Sequence, residues 1–361
     1  MDNLKILSLP VDRGGCGNYR IRQPFEMINR FTESEAQILD SSQDSVEIVK
    51  AMTVADLFVI RPGAEEGFQR LMTIPEFKNK PYVMDIDDNV ELISPYSEHY
   101  SEYGTEEFYD HNAQVQLWKD GETLDIKKNR ARLQMQLFGM RNASLITVTT
   151  PKLAEYARNY NHRVAVLPNL INFERWWKPT FVHNKGMRIG WSGGISHYED
   201  WETIKDPLNR LMSKHKFTLV IAGNAFDGLI APENKHLLET HDWVPFKGHS
   251  YRMMCLNLDI AIIPLADLPF NHYKSPIKFL EFAAMGVPSV VADVGPYHSS
   301  TACDTGFRYK TPTEFYNNLE SLILDKELRQ NVSSRAHQTV KTGFDCRKRA
   351  NEWVSAYSSI V

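Results

Sequence analysis

Short, mostly apolar runs recur along the chain, and between them apolar positions return every three or four residues. One series of runs lies at 4–9 (LKILSL), 36–39, 56–60 (DLFVI), 81–84 (PYVM), 145–148 (LITV) and 164–167 (VAVL). A second lies at 188–191 (RIGW), 217–222 (FTLVIA), 259–264 (DIAIIP), 288–292 (PSVVA) and 307–309. Runs this short read as strands buried on both faces, the habit of parallel sheets. Helical spacing marks 23–31, 44–51, 65–73 and 125–142, and another helix opens at Thr150-Pro151, an N-cap followed by a first-turn proline. In the second series it marks 200–214, 313–324 and 326–341. There 242–246 reads as a short strand and turn, and 250–256 as a helix with Ser250 as its N-cap. This alternation predicts an α/β chain with parallel sheets covered by helices on both faces.

The rhythm fails twice. Residues 93–125, with SPYSEHYSEYGTEEFYDHN, are rich in Tyr, Glu, His and Ser and have little periodicity. A long insertion of this kind reads as a functional lid or a mobile segment, with His99, His111, Tyr103 and Tyr109 as candidate substrate contacts. Residues 168–185 (PNLINFERWWKPTFVHNK) read as an interdomain linker. The expected organisation is a first domain at 1–170 with the insertion at about 93–125, a linker at 171–187 and a second domain at 188–344. A closing helix at 345–361 carries Trp353 and is expected to pack back on the first domain. A length of 361 residues suits two domains.

Composition narrows the function classes. The 42% hydrophobic content is that of a soluble globular protein, and no run reaches the roughly 18 apolar residues of a membrane span. The N-terminus lacks a basic stretch followed by a long apolar run and is expected to be a first strand, not a signal peptide. The four cysteines (Cys16, Cys255, Cys303, Cys346) show no CxxC or metal-ligand spacing, so a reducing, cytoplasmic setting is expected. A net charge of −4 argues against a dedicated nucleic-acid binder. The basic start of 125–142 (Lys127, Lys128, Arg130, Arg132) reads either as a solvated face or as a contact for nucleic acid or an acidic acceptor.

Candidate chemistry gathers where strands give way to helices, the edge at which open α/β sheets bind ligands. After the first strand, DRGGCGNYRIRQ offers Gly15 and Gly17. A dinucleotide fingerprint needs a third glycine where Arg20 stands, which argues against a nicotinamide-dependent oxidoreductase or an epimerase. The loop is either a tight strand-to-helix turn or a cradle in which Gly15, Gly17 and Arg20, with Arg13 and Arg22, meet an acceptor or an anionic group. After 81–84, Asp85, Asp87 and Asp88 crowd together, and their repulsion is expected to raise one carboxyl pKa. They read as a D-x-D chelate for a divalent ion through Asp85 and Asp87, as catalytic or acceptor-binding carboxylates, or as loop and capping residues.

The stretch 267–286 (DLPFNHYKSPIKFLEFAAMG) joins two strands through a loop and a short helix. Its loop carries Asn271, Lys274 and Ser275, Pro276 suits the first helical turn, and Lys278 and Glu281 share a helix face. A helix start with lysines is an anion site, and a carboxylate one turn on adds an acceptor for ribose hydroxyls. This arrangement suits a nucleoside diphosphate. Gly193, Gly194 and His197 follow the strand at 188–191, and Gly223 follows the strand at 217–222.

The segments PNLIN, RIGWSGG, TLVIAGN, VPFKGH, DIAIIPL and KSPIKFLEFAAMGVPSVVA resemble the second half of GT-B glycosyltransferases. They look most like the large retaining group, family four, that includes sucrose synthases. GGCGNYRIRQP and VMDIDDN look like a divergent bacterial or bacteriophage branch of the same superfamily. The resemblance implies a GT-B fold: α/β, with two Rossmann-like parallel-sheet domains facing across a cleft. It implies transfer of a sugar from a nucleoside diphosphate donor, UDP foremost, to an acceptor hydroxyl, with retention by a front-face route. Glu281 takes the place of the second glutamate of the family's pair and would bind the donor ribose, while Tyr273 stands where the first would fall. Gly193, Gly194, His197, Gly223, Asn271, Lys274, Ser275, Pro276 and Lys278 would complete the donor site. Asp87 or Asp88 would orient or deprotonate the acceptor. No metal or other cofactor beyond the nucleotide-sugar is implied to be obligatory, and the setting would be a bacterial or phage-infected cytosol. The acceptor stays open among a glycan, a lipid-linked sugar, a protein, a small molecule and hydroxymethylated DNA. A reading of another class is a non-catalytic GT-B-like binding protein.

Overall fold

The apolar runs assemble into two six-stranded sheets, parallel throughout. The computed structural model describes residues 3–39, 45–62, 73–175, 177–179, 186–224, 226–300 and 305–361. In the first domain the strands are β1 (Lys5–Ser8), β2 (Glu35–Ile38), β3 (Leu57–Ile60) and β4 (Tyr82–Ile86). A separate antiparallel pair, β5 (Phe108–Asp110) and β6 (Val115–Trp118), precedes β7 (Leu145–Val148) and β8 (Val164–Val166). The first sheet runs β2-β1-β3-β4-β7-β8. The second comprises β9 (Arg188–Gly193), β10 (Thr218–Gly223), β11 (Leu238–His241), β12 (Ile260–Ile263), β13 (Ser289–Ala292) and β14 (Phe307–Tyr309). Its order is β11-β10-β9-β12-β13-β14.

These orders decide where ligands bind. In a doubly wound sheet the crevice opens where successive connections leave in opposite directions along the sheet. In the first domain that point lies between β1 and β3, and in the second between β9 and β12. The loops leaving β1 and β12 carry the glycine cluster and Lys274.

Each sheet has its own core. Leu7, Phe58, Met84 and Ile146 face one apolar cluster of the first sheet, and Ile6, Leu57, Val59 and Val83 face the other. The second face is covered by helix α1 (Gln23–Phe31) and by the chain's last helix, Ala350–Ser358, whose Trp353, Val354 and Tyr357 are buried there. The chain therefore returns to the first domain. Where it does so it pairs with the outgoing crossover: Ile171 N donates to Phe344 O, and Cys346 N donates to Ile171 O.

Several local expectations need correction. The strand expected at 242–246 lies earlier, at Leu238–His241. The helix expected to open at Ser250 opens at Phe246, directly after Pro245, and Ser250 is buried within it. Pro276 is the N-cap of the helix Ile277–Ala284 and precedes its first turn. The stretch 200–214 is broken into Tyr198–Glu202 and Lys205–His215. The helix expected at 65–73 falls almost entirely outside the described residues. The insertion holds a helical turn, Tyr100–Tyr103, and the β5–β6 pair. Asn129 donates to Ser101 O and Gly104 O, Arg130 to Thr105 O and Arg132 to Glu102 O. Two of the four basic residues proposed as an acceptor contact thus fasten the insertion to its own helix.

Candidate active site

The β1 loop enters a single turn at Gly15–Gly17, widens into a π-helical stretch at Asn18–Arg22 and continues as α1. Such wide turns inside helices often mark functional sites. Here neighbouring side chains serve different domains. Arg20 is buried in the first, with Nε 3.0 Å from Asp85 Oδ1 and Nη2 2.7 Å from Asp85 Oδ2, and it also reaches Leu167 O and Asn169. Tyr19 crosses to the second, with Oη 2.6 Å from Glu281 Oε1 and its ring edge-on to Phe246. Arg20 is thus a structural ion-pair partner and does not line the cleft. Gly17 has a packing role as well: a Cβ there would meet Asp12 O at 2.2 Å.

Between the sheets lies a cleft of about 350 Å³ lined from the strand ends of both sheets. It includes Gly15, Asp87 and Asp88 of the first domain and Gly193, Gly194, His197, Gly223, Lys274, Ser275, Lys278 and Glu281 of the second. Gly223 is required by close approach: its φ is +106°, and a Cβ would meet Gly193 O at 2.2 Å. Asn271 lies behind the site. It is buried, donates to Asp200 Oδ1 and Ala266 O, and so shapes the loop that presents Lys274. Tyr273 points toward the first domain, edge-on to Tyr156.

The second-domain wall is a linked network. His197 Nδ1 lies 2.5 Å from Asp200 Oδ2, and His197 Nε2 lies 2.9 Å from Lys278 Nζ. Burial, reinforced by Lys278, lowers His197 to about 4. It is therefore neutral at pH 7, with Nδ1–H donated to Asp200 and Nε2 accepting from the Lys278 ammonium. Burial and the nearby Lys274 charge lower Lys278 to about 8. Glu281 accepts from Tyr19 and meets His249 Nε2 at 3.2 Å. Burial alone would lower His249, but the Glu281 carboxylate holds it above its ordinary pKa.

Across the cleft, Asp85 is committed to Arg20, Arg61 and the Thr147 hydroxyl, which is incompatible with the chelating reading of Asp85 with Asp87. Burial works against ionisation of Asp87, but Arg61 and a hydrogen bond from the Cys16 thiol keep its carboxyl below the usual range. Asp88 behaves differently. Burial raises it to about 6; Lys274 opposes this and the Asp87 charge adds to it. The expected raised carboxyl is Asp88. No cluster of His, Cys, Asp and Glu arranged to hold a metal is found among the described residues.

Sequence reasoning missed Tyr19, His249, Phe246, Trp243 and Asn169, all on the cleft wall. His249 and Phe246 sat in the VPFKGH stretch. Tyr19 had no signal beyond its place in the glycine loop.

Two Rossmann-like domains sharing a cleft at their strand ends define the GT-B architecture. Residues 202–355 match the family described as Glycosyl transferase-like. Among solved structures, the fold is similar to Anabaena HepE in complex with UDP, at TM-score 0.64 and 15% identity over 99% of this chain and 100% of that one. It is similar to sucrose-phosphate synthase from Thermosynechococcus elongatus, at TM-score 0.63 and 13% identity over 98% of each chain. It is also similar to the catalytic domain of starch synthase IV from Arabidopsis thaliana bound to ADP and acarbose, at TM-score 0.65 and 9% identity over 99% of each chain. No curated protein matches by sequence.

Proposed function

We propose that this protein is a glycosyltransferase that moves a sugar from a nucleoside diphosphate, UDP foremost, to an acceptor hydroxyl. The observation that carries the reading is the charge order along one cleft. Lys274 and Lys278 stand at the start of the helix Ile277–Ala284, Glu281 one turn on, and Asp88 opposite. The lysines and the helix start would neutralise the departing diphosphate, whose charge grows as the glycosidic bond breaks. Glu281, set by Tyr19 and His249, would take ribose hydroxyls. Asp88, at about 6, is tuned near neutrality for a proton acceptor at the acceptor hydroxyl. Retention by a front-face route, in which the leaving phosphate oxygen helps remove the acceptor proton, needs no protein nucleophile. Anabaena HepE, of the same fold, has been solved with UDP-glucose, which supports a UDP-sugar as donor. No described helix is long and apolar enough to cross a membrane.

The test is calorimetry with UDP, followed by release of UDP from a panel of UDP-sugars. The reading expects binding that Glu281→Ala and Lys274→Ala both abolish. Unchanged affinity in both would overturn it. Binding without turnover of any sugar nucleotide would favour the non-catalytic alternative.

A further inference from the structure

The donor cleft opens into a second, larger one of about 1050 Å³, and the two share Gly14, Gly15, Cys16, Asp87 and Asp88. The charged residues described on the donor wall are of both signs: Lys274, Lys278 and Arg252 stand with Asp87, Asp88, Asp242 and Glu281. On the larger cleft they are Asp12, Asp87, Asp88 and Glu102 against the single cation Arg61. Arg61 is already spent: Nη1 lies 3.0 Å from Asp85 Oδ1 and Nη2 2.9 Å from Asp87 Oδ1. Among the described lining residues no cation is left for an anionic ligand. The rest of the wall is apolar or aromatic, with Val90, Ile93, Tyr103 and Phe270, and His99 adds an imidazole.

We propose, building on the glycosyltransferase reading, that this cleft takes an uncharged carbohydrate as acceptor. Carboxylates accept hydrogen bonds from sugar hydroxyls, and flat apolar side chains pack on the faces of sugar rings. The same wall repels polyanions. A nucleic-acid groove uses Lys and Arg to track phosphates. Here a DNA strand or a phosphate-bearing polyol entering toward Asp88 would meet three further carboxylates in its path. The junction also orders the reaction spatially. The diphosphate is drawn to the lysine end, and the neutral acceptor's hydroxyl is presented at Asp87 and Asp88, where the two clefts meet.

The experiment uses the full chain saturated with UDP. Saturation-transfer NMR is recorded with a pool of neutral oligosaccharides, and fluorescence anisotropy with duplex DNA, hydroxymethylated and plain, and with a glycerol-phosphate oligomer. Expected are saturation-transfer signals from at least one neutral oligosaccharide and no polyanion binding at physiological salt. Glu102→Lys, placed outside the donor cleft, should leave UDP affinity unchanged, weaken the oligosaccharide several-fold and strengthen polyanion binding about tenfold. A bound polyanion, or no signal from any neutral oligosaccharide, overturns the acceptor assignment while UDP binding still stands. Failure to bind UDP at all overturns the parent reading instead.

Discussion

Tyr19 Oη lies 2.6 Å from Glu281 Oε1, joining the glycine-loop side of the first domain to the helix Ile277–Ala284 of the second. His249 Nε2 approaches the same oxygen at 3.2 Å. With Oε1 held from two sides, a ribose hydroxyl is expected at Oε2. Under the glycosyltransferase reading Tyr19 would be a positioning residue for the donor, because the domains are registered through the carboxylate proposed to take the ribose.

Tyr19→Phe keeps the ring against Phe246 and removes only the hydroxyl. A hydrogen bond to a charged group is worth about 1.5–3 kcal/mol, so UDP affinity should fall roughly ten- to a hundredfold. Calorimetry measures it. Unchanged affinity would show that Glu281 is fixed by the helix alone.

Arg20 tests the opposite assignment, a structural one. Its guanidinium holds both oxygens of a buried Asp85. Removing one partner of a buried pair costs about 3–5 kcal/mol, and lysine cannot replace the two-pronged contact. Arg20→Lys and Arg20→Ala should both lower the urea midpoint, the second more. UDP affinity per folded molecule should stay unchanged, because Arg20 does not line the cleft.

The division between what was legible and what was not follows the range of the interactions. The strands could be read because parallel strands buried on both faces show as apolar runs. Lys274, Lys278 and Glu281 could be read because one helix turn sets their spacing. The Arg20–Asp85 pair spans 65 positions and the Tyr19–Glu281 bond 262, and no local pattern encodes either. Arg20 was misread because a basic residue beside glycines looks the same in sequence whether it meets a ligand or a buried carboxylate. Asn271 was misread for a similar reason: a polar loop residue was expected to face the ligand, but its amide is used to brace the loop.

Asp88 should trade stability for activity. Its folded pKa, about 6, is above the unfolded value, so ionisation opposes folding at neutral pH and the cost is relieved as pH falls. Asp88→Asn should therefore raise stability at pH 7 by up to about 3 kcal/mol, with the gain shrinking toward pH 4. It should abolish sugar transfer while leaving UDP binding intact. Thermal melts across pH, with UDP-release assays, check both halves. Loss of stability at pH 7 would reject the electrostatic account.

Lys278 should make donor binding proton-linked. Burial and Lys274 hold its ammonium at about 8, so near pH 8 roughly half of the free molecules carry a neutral Lys278. A diphosphate placed beside it favours the charged form and raises the pKa. UDP binding should then take up a fraction of a proton near pH 8. The affinity should decline as pH rises from 7 toward 9.5, by up to about tenfold per unit above the free pKa. At pH 7 the lysine is mostly charged in both states, and its share of the uptake should be small. Calorimetry in buffers of different ionisation enthalpy measures the uptake directly. Lys278→Arg keeps the charge at all these pH values and should abolish the linkage. If wild type shows no uptake at pH 8, Lys278 does not face the diphosphate, and Lys274 would have to carry the charge alone.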